Sequence, residues 1–406
     1  MPVETEQSST IQTRRQHLLW ERCAGALLLA LLAVALLSAS RGGRLDYSEA
    51  GMGGMEPQFV DADAPAQQAT RIVEFSPLVT AYAWHAAPTV LGKTSIGGRL
   101  PWWLRLTLYR LPFLGAALAL GLSIWFVTRK FFSRRAGLLA LAFYCTSPAI
   151  LTLAQQGMPG IVAAWGAYGV IYTAIATAHT LYAPRPGVLW NWKRILMMGG
   201  AITLAVGAMP PLVLLLIPAF AFMLWAVPHR RWATLAIVAS ACGVAALVLS
   251  LVNVLLPQGY WAMAAAKGWL AWPGISAAML LSNLGDLGSV VLEHPLPFAA
   301  MLLAVPLVPL SVIALGIYCC WRRPRFFANF SALLIAVLLT LGCFSWRQQG
   351  VDNLIFFAAA LPFWTTFVVG VEADVREFRK GFFIANLTWL LVGAQCISAL
   401  ILCVIW

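Results

Sequence analysis

Long apolar runs recur from one end of this chain to the other, and each is close to the roughly 20 residues a helix needs to cross a bilayer. They fall at about 23–40, 110–128, 136–154, 161–180, 195–208, 210–227, 232–256, 297–320, 327–344, 353–372 and 383–406. The fifth is short. Apolar residues make up 61% of the 406 and charged residues only 10%, too few polar side chains to cover a water-soluble fold of this size. The expectation is an all-α polytopic membrane protein with about 11 transmembrane helices.

Lys and Arg set the expected orientation, because they are retained on the cytoplasmic side of short loops. They cluster before the first run (Arg14, Arg15, Arg22) and then in every second loop. Those loop clusters are Arg129, Lys130, Arg134 and Arg135; Arg185, Lys193 and Arg194; Arg230 and Arg231; Arg322, Arg323 and Arg325; Arg376, Arg379 and Lys380. The alternation predicts a cytoplasmic N-terminus and an extracytoplasmic C-terminus. Residues 1–22 then form a cytoplasmic tail, with a retained first helix rather than a removed signal peptide. Residues 23–406 form the membrane domain, with long outer loops at 41–109 and 257–296. The net charge of +12 is mostly this topological signal together with attraction to anionic lipid, so nucleic acid is not an expected partner.

The eight cysteines sit in or beside the apolar runs, with no CxxC pair, and read as buried small hydrophobes. No residue spacing indicates a cofactor, and a divalent metal has no support in the sequence.

Acids are scarce and unevenly placed. Asp46, Glu49, Glu56, Asp61, Asp63 and Glu74 all lie in the first outer loop. Asp46, Glu49, Asp61 and Asp63 are candidate catalytic bases, since a carboxylate beside a partly dehydrated cleft gains basicity and can take a proton from a hydroxyl. The bland reading is a solvated acidic loop. The stretch 66–83 mixes apolar and polar residues at near-helical spacing and is expected to form interfacial helices. Trp84, Trp102, Trp103, Tyr82 and Tyr109 read as headgroup-level aromatics, and sugar stacking is the less favoured role for them.

Several segments resemble the GT-C membrane glycosyltransferases, in the branch of the protein O-mannosyltransferases and aminoarabinose transferases. Within 110–176 the features are an Arg opening the second span, the basic turn TRKFFSRRAG, a Ser-Pro late in the third span and a tight turn before the fourth. EFSPLVTAYAWHAAPTVLG is similar to the family's Pro-Pro-Leu segment, AMPPLVLLLIPAF to its Lys-Gly-Pro and leucine run, and FSWRQQGVDNLIFFAAALPFW to its late Lys, Tyr-Leu-Leu-Pro segment. The resemblance covers roughly residues 23–370, carried by the order of these motifs.

It implies a polyprenyl-phosphate-linked sugar donor and an acid in the first outer loop that deprotonates the acceptor. The family's Asp-Glu pair is absent as such. Asp46 is the candidate base by position, with Asp61 and Asp63 next. The turn QQGMPG lacks the family's Asp, and Ala208-Met209 stand where its Lys belongs. Donor phosphate needs fixed cations at the outer face. Arg110, Lys267 and Arg347 are the candidates, and Arg110 matches the family's Arg. Lys267 reads more readily as a snorkelling side chain. His85 either orients an acid or caps an interfacial helix.

The expected function is transfer of a sugar from the polyprenyl-phosphate donor to an extracytoplasmic lipid, glycan or protein, in the cytoplasmic membrane. The alternative is a non-catalytic relative that binds polyprenyl-linked lipid or assists a partner in envelope polysaccharide assembly. A transporter is disfavoured by the scarcity of mid-membrane charge.

Overall fold

All regular structure among the described residues is helical, as lipid demands of a chain that must satisfy its backbone hydrogen bonds within each segment. The computed structural model describes residues 20–35, 37, 102–147, 150, 160–182, 187–255, 277–293, 307–320, 326–345, 351–379, 386, 388–395 and 397.

Helix α1 covers residues 20–35. It is followed by α2 (Trp102–Phe131), α3 (Arg134–Cys145), α4 (Gly160–Leu181), the single turn α5 (Gly187–Trp190) and α6 (Trp192–Ala208). A 3-10 segment, Pro210–Leu215, leads into α7 (Leu216–Ala226). Another, Pro228–Arg230, leads into α8 (Arg231–Leu255). Then come α9 (Ala277–Glu293), α10 (Leu307–Cys320), α11 (Phe326–Ser345) and α12 (Val351–Arg379), and residues 388–395 form α13.

Among the described residues, five segments are long and apolar enough to cross a membrane: Arg110–Phe131, Gly160–Leu181, Pro228–Val252, Phe327–Ser345 and Phe356–Glu377. Pro210–Ala226 and Leu307–Cys320 are shorter apolar helices. The protein is therefore an all-α, polytopic membrane protein.

Prolines explain where helices stop. Met209 is extended (φ −152°, ψ 102°) immediately before Pro210, and Val227 has left the helical region (φ −134°, ψ 69°) immediately before Pro228. A proline ring disfavours the helical conformation in the residue preceding it, and α6 and α7 end there, although α2 and α12 continue through Pro112 and Pro362. Each proline then opens a 3-10 turn, where its missing N–H costs nothing. α3 ends after 12 residues, two positions short of Ser147, which precedes Pro148. The third apolar run is thus interrupted at a point where the sequence reading treated it as continuous.

Helices α4 and α12 form the buried centre, and α8 lies towards the lipid with most of its surface exposed. α4 and α6 approach almost backbone to backbone. A side chain on Gly166 would begin 2.3 Å from the Ala205 nitrogen and 2.8 Å from the Ala201 carbonyl. Small residues at such crossings supply the close packing that drives helix association in lipid, where apolar burial gives no net gain. Between α4 and α12, Tyr168 shares a 3.0 Å hydrogen bond with Thr366, and the Phe363 ring stacks on Tyr172 at 5.9 Å. Tyr144 donates to the Ala117 carbonyl at 2.7 Å, fixing α3 against α2.

Candidate functional site

The contacts sort the bundle into two ends. Phe131 meets Tyr172, Phe132 lies against Gly370, and Trp225 meets Phe327 and Phe330. These contacts bring the end of α2, the end of α7, the start of α11 and the end of α12 to one level. Arg22, Arg129, Lys130, Arg134, Arg135, Lys193, Arg194, Arg230, Arg231 and Arg376 all belong to this basic end.

Arg110 does not. It lies on α2 about 28 Å along the axis from Arg129, close to the full thickness of the hydrocarbon layer. Its side chain is 4% exposed. Arg110 is followed by a run of 18 residues, Leu111–Thr128, with no charge. A buried guanidinium in such a helix is costly unless it serves a partner or a ligand. Arg110 does take part in an interaction within the structure. A buried Arg of this kind suits a phosphate, because its planar fork gives paired donors and water exclusion strengthens the attraction.

Of the candidate catalytic and substrate-binding residues read from the sequence, the structure describes Arg110 alone. Asp46, Glu49, Asp61, Asp63, His85, Lys267 and Arg347 lie outside the described residues, as does the 66–83 stretch. Ala208 and Met209, where the GT-C pattern has Lys, are buried at the junction of α6 with its 3-10 turn. Among the described residues, no group of three His, Cys, Asp or Glu side chains converges to hold a metal.

Two features escaped the sequence reading. The segment 257–296, expected from the sequence to be an outer loop, contains α9, whose Asn283 amide donates to the Phe344 carbonyl near the far end of α11 at 2.6 Å. Its apolar residues Leu280, Leu284, Leu287 and Val291 recur at helical spacing, which was the available signal.

The second is a set of buried acids at the basic end. Glu21 of α1 receives Arg129 at 3.0 Å and Arg134 at 3.6 Å, held by charge rather than by aligned hydrogen bonds. On α12, Glu372 pairs with Arg376 one turn on and also feels Arg135 of α3. Asp374, 3% exposed, accepts a 2.7 Å hydrogen bond from the Asn329 amide of α11. Gly370 makes this corner possible: a side chain there would start 2.3 Å from the Asn329 Oδ1 and 2.4 Å from the Phe132 ring.

No family model and no curated protein matches the sequence. Among solved structures, the chain is similar to the archaeal oligosaccharyltransferase AglB from Archaeoglobus fulgidus in complex with an inhibitory peptide and a dolichol-phosphate. That match has 13% identity and a TM-score of 0.48, over 93% of this chain and 55% of the other. It is also similar to the Archaeoglobus fulgidus oligosaccharyltransferase in complex with Zn and sulfate, at 14% identity and a TM-score of 0.49, over 92% of this chain and 52% of the other. ArnT from Cupriavidus metallidurans in the apo state matches at 16% identity and a TM-score of 0.35, over 93% and 77% of the two chains. The chain spans about half the length of the oligosaccharyltransferases it matches. At such identities and scores these matches carry no residue role or activity over to this chain.

Proposed function

We propose that this protein is a GT-C-type glycosyltransferase that moves a sugar from a polyprenyl-phosphate-linked donor to an extracytoplasmic lipid, glycan or protein acceptor. The observation that carries the proposal is Arg110, a buried guanidinium at the end of the bundle opposite the basic end, where a lipid-linked phosphate would enter from the membrane. The motif order from Arg110 through the Ser-Pro at 147–148 to the 344–364 segment supports the same reading.

In this proposal the chain crosses the cytoplasmic membrane about eleven times, with its basic end and N-terminus inside. The 66–83 stretch lies along the outer face. Arg110 holds the donor phosphate, with Lys267 and Arg347 as further outer cations. Asp46 takes the acceptor's proton, with Glu49, Asp61 and Asp63 as the other candidate bases, and His85 caps or orients within the same loop. Catalysis rests on positioning together with one carboxylate.

A second reading is favoured by one specific observation, the buried apolar pair Ala208-Met209 in place of the family's Lys. It makes the protein a non-catalytic binder of polyprenyl-linked lipid that assists an envelope-assembly partner. Substituting the loop acids separates the two. Asp46→Asn abolishes transfer in the enzymatic reading while leaving the protein folded. Loss of transfer in Asp61→Asn or Asp63→Asn instead reassigns the base. Full function of a variant in which Asp46, Glu49, Asp61 and Asp63 are all replaced by their amides excludes general-base catalysis by these acids and leaves the binding reading.

A further inference from the structure

The sequence holds no Asp or Glu between Glu74 and Asp286, so every helix from α2 to α8 is built without a carboxylate. At the basic end this produces a corner that the chain's own acids do not reach through those helices. It is assembled from the end of α4, the turn α5, the start of α6, the end of α7 and the start of α8.

Local contacts hold it together. The Thr180 hydroxyl donates to the Asn191 Oδ1 at 2.7 Å, and Arg194 donates to the same oxygen at 3.1 Å. The Tyr182 hydroxyl donates to the Ala226 carbonyl at the end of α7, and α5 packs against α8. Asn191 spends its side-chain oxygen on these partners and makes no cap bond to α6. The first N–H groups of α6 therefore add their partial positive charge to Lys193, Arg194 and Arg231.

Around these cations stands an apolar rim. Leu189, Trp190, Trp192 and Trp232 are all exposed, Trp232 by 73%. The Lys193 ammonium sits 5.5 Å over the Trp192 ring, and the Arg231 guanidinium 5.9 Å over the Trp232 ring. Paired indole and cation at the ends of apolar helices is the chemistry of a surface seated in headgroups, with rings at the interface and charges among phosphates. We propose that this corner is a docking site for anionic phospholipid headgroups of the leaflet it faces. The inference is independent of the glycosyl-transfer reading.

The test uses the full chain in a neutral detergent, titrated with phosphatidylglycerol, phosphatidylethanolamine or inorganic phosphate, with bound lipid read by native mass spectrometry. Phosphatidylglycerol is expected to be retained over phosphatidylethanolamine, and raising salt from about 0.05 M to about 0.5 M should release it. With each cation contributing about fivefold, the Lys193→Gln, Arg194→Gln, Arg231→Gln variant should bind it on the order of a hundredfold more weakly. Arg231→Gln alone should show about a fivefold loss if the triple variant is not recovered folded. Equal retention of the two lipids by the wild type, salt-insensitive binding, or unchanged phosphatidylglycerol affinity in the variants overturns the proposal. Competition by inorganic phosphate at equimolar concentration would also overturn it, since the site would then select a small anion rather than a lipid surface.

Discussion

Two basic corners stand side by side at one end of this bundle, and they solve the same electrostatic problem in opposite ways. In the corner of α1, α2, α3, α11 and α12, Glu21 and Asp374 are brought in from distant parts of the chain to meet Arg129, Arg134 and Asn329, and Glu372 pairs with Arg376 one turn on in its own helix. In the corner of α4 to α8, Lys193, Arg194 and Arg231 are set among exposed tryptophans on helices that contain no acid. The first pairs its charges inside the protein. The helices of the second contribute no acid to balance its cations. Positive loops therefore mark a membrane face without saying what each cluster is for.

The difference makes the two corners respond unequally to substitution. The largest effect is expected at Gly370. Gly370→Ala drives a methyl group into Asn329 and the Phe132 ring, and overpacking of this severity costs about 2–3 kcal/mol. Thermal unfolding in detergent should show it as a large loss of stability or of recoverable protein. A Gly370→Ala protein as stable as the wild type would mean the corner is looser than the contacts describe.

Next is Asp374→Ala, which leaves the buried Asn329 amide without its acceptor and should cost about 2 kcal/mol. Asp374→Asn keeps an acceptor and should recover most of that loss. If both variants fall equally, the charge and not the hydrogen bond carries the site. Glu21→Gln should cost less, about 1 kcal/mol, because its partners Arg129 and Arg134 are 23% and 45% exposed and can turn to water. That loss should shrink as salt is raised. In the other corner, Lys193→Gln, Arg194→Gln and Arg231→Gln together should move stability in lipid-free detergent by only about 0.5 kcal/mol. A loss there as large as that of Asp374→Ala would erase the contrast.

Much of the bundle was legible in the sequence because its signals are local. Apolar runs near 20 residues located α2, α4, α8, α11 and α12 within a few residues, apart from the early start of α2 at Trp102 and the late end of α12 at Arg379. Prolines 148, 210 and 228 mark where α3, α6 and α7 stop. α9 was missed because a long outer segment was read as loop, although its apolar residues repeat at helical spacing. The Glu21 to Arg129 pairing was not legible at all, since the partners are more than 100 residues apart and only the packing of α1 on α2 and α3 brings them together. The candidate site was legible to the extent of Arg110, which immediately precedes the uncharged run Leu111–Thr128.

Arg110 is also where the central claim is tested most directly. Polyprenyl phosphate binding to the full chain, with excess phosphatidylglycerol present to occupy the basic corner, should be measured for the wild type, for Arg110→Ala and for the Lys193, Arg194, Arg231 triple glutamine variant. Loss of paired charge-assisted hydrogen bonds to phosphate is worth about 1.5–3 kcal/mol, so Arg110→Ala should bind roughly ten- to a hundredfold more weakly. The triple variant should bind polyprenyl phosphate as the wild type does, because its substitutions lie at the opposite end of the bundle. Unchanged binding by Arg110→Ala, or a loss confined to the triple variant, would contradict the account by showing that the phosphate is not held at the Arg110 end.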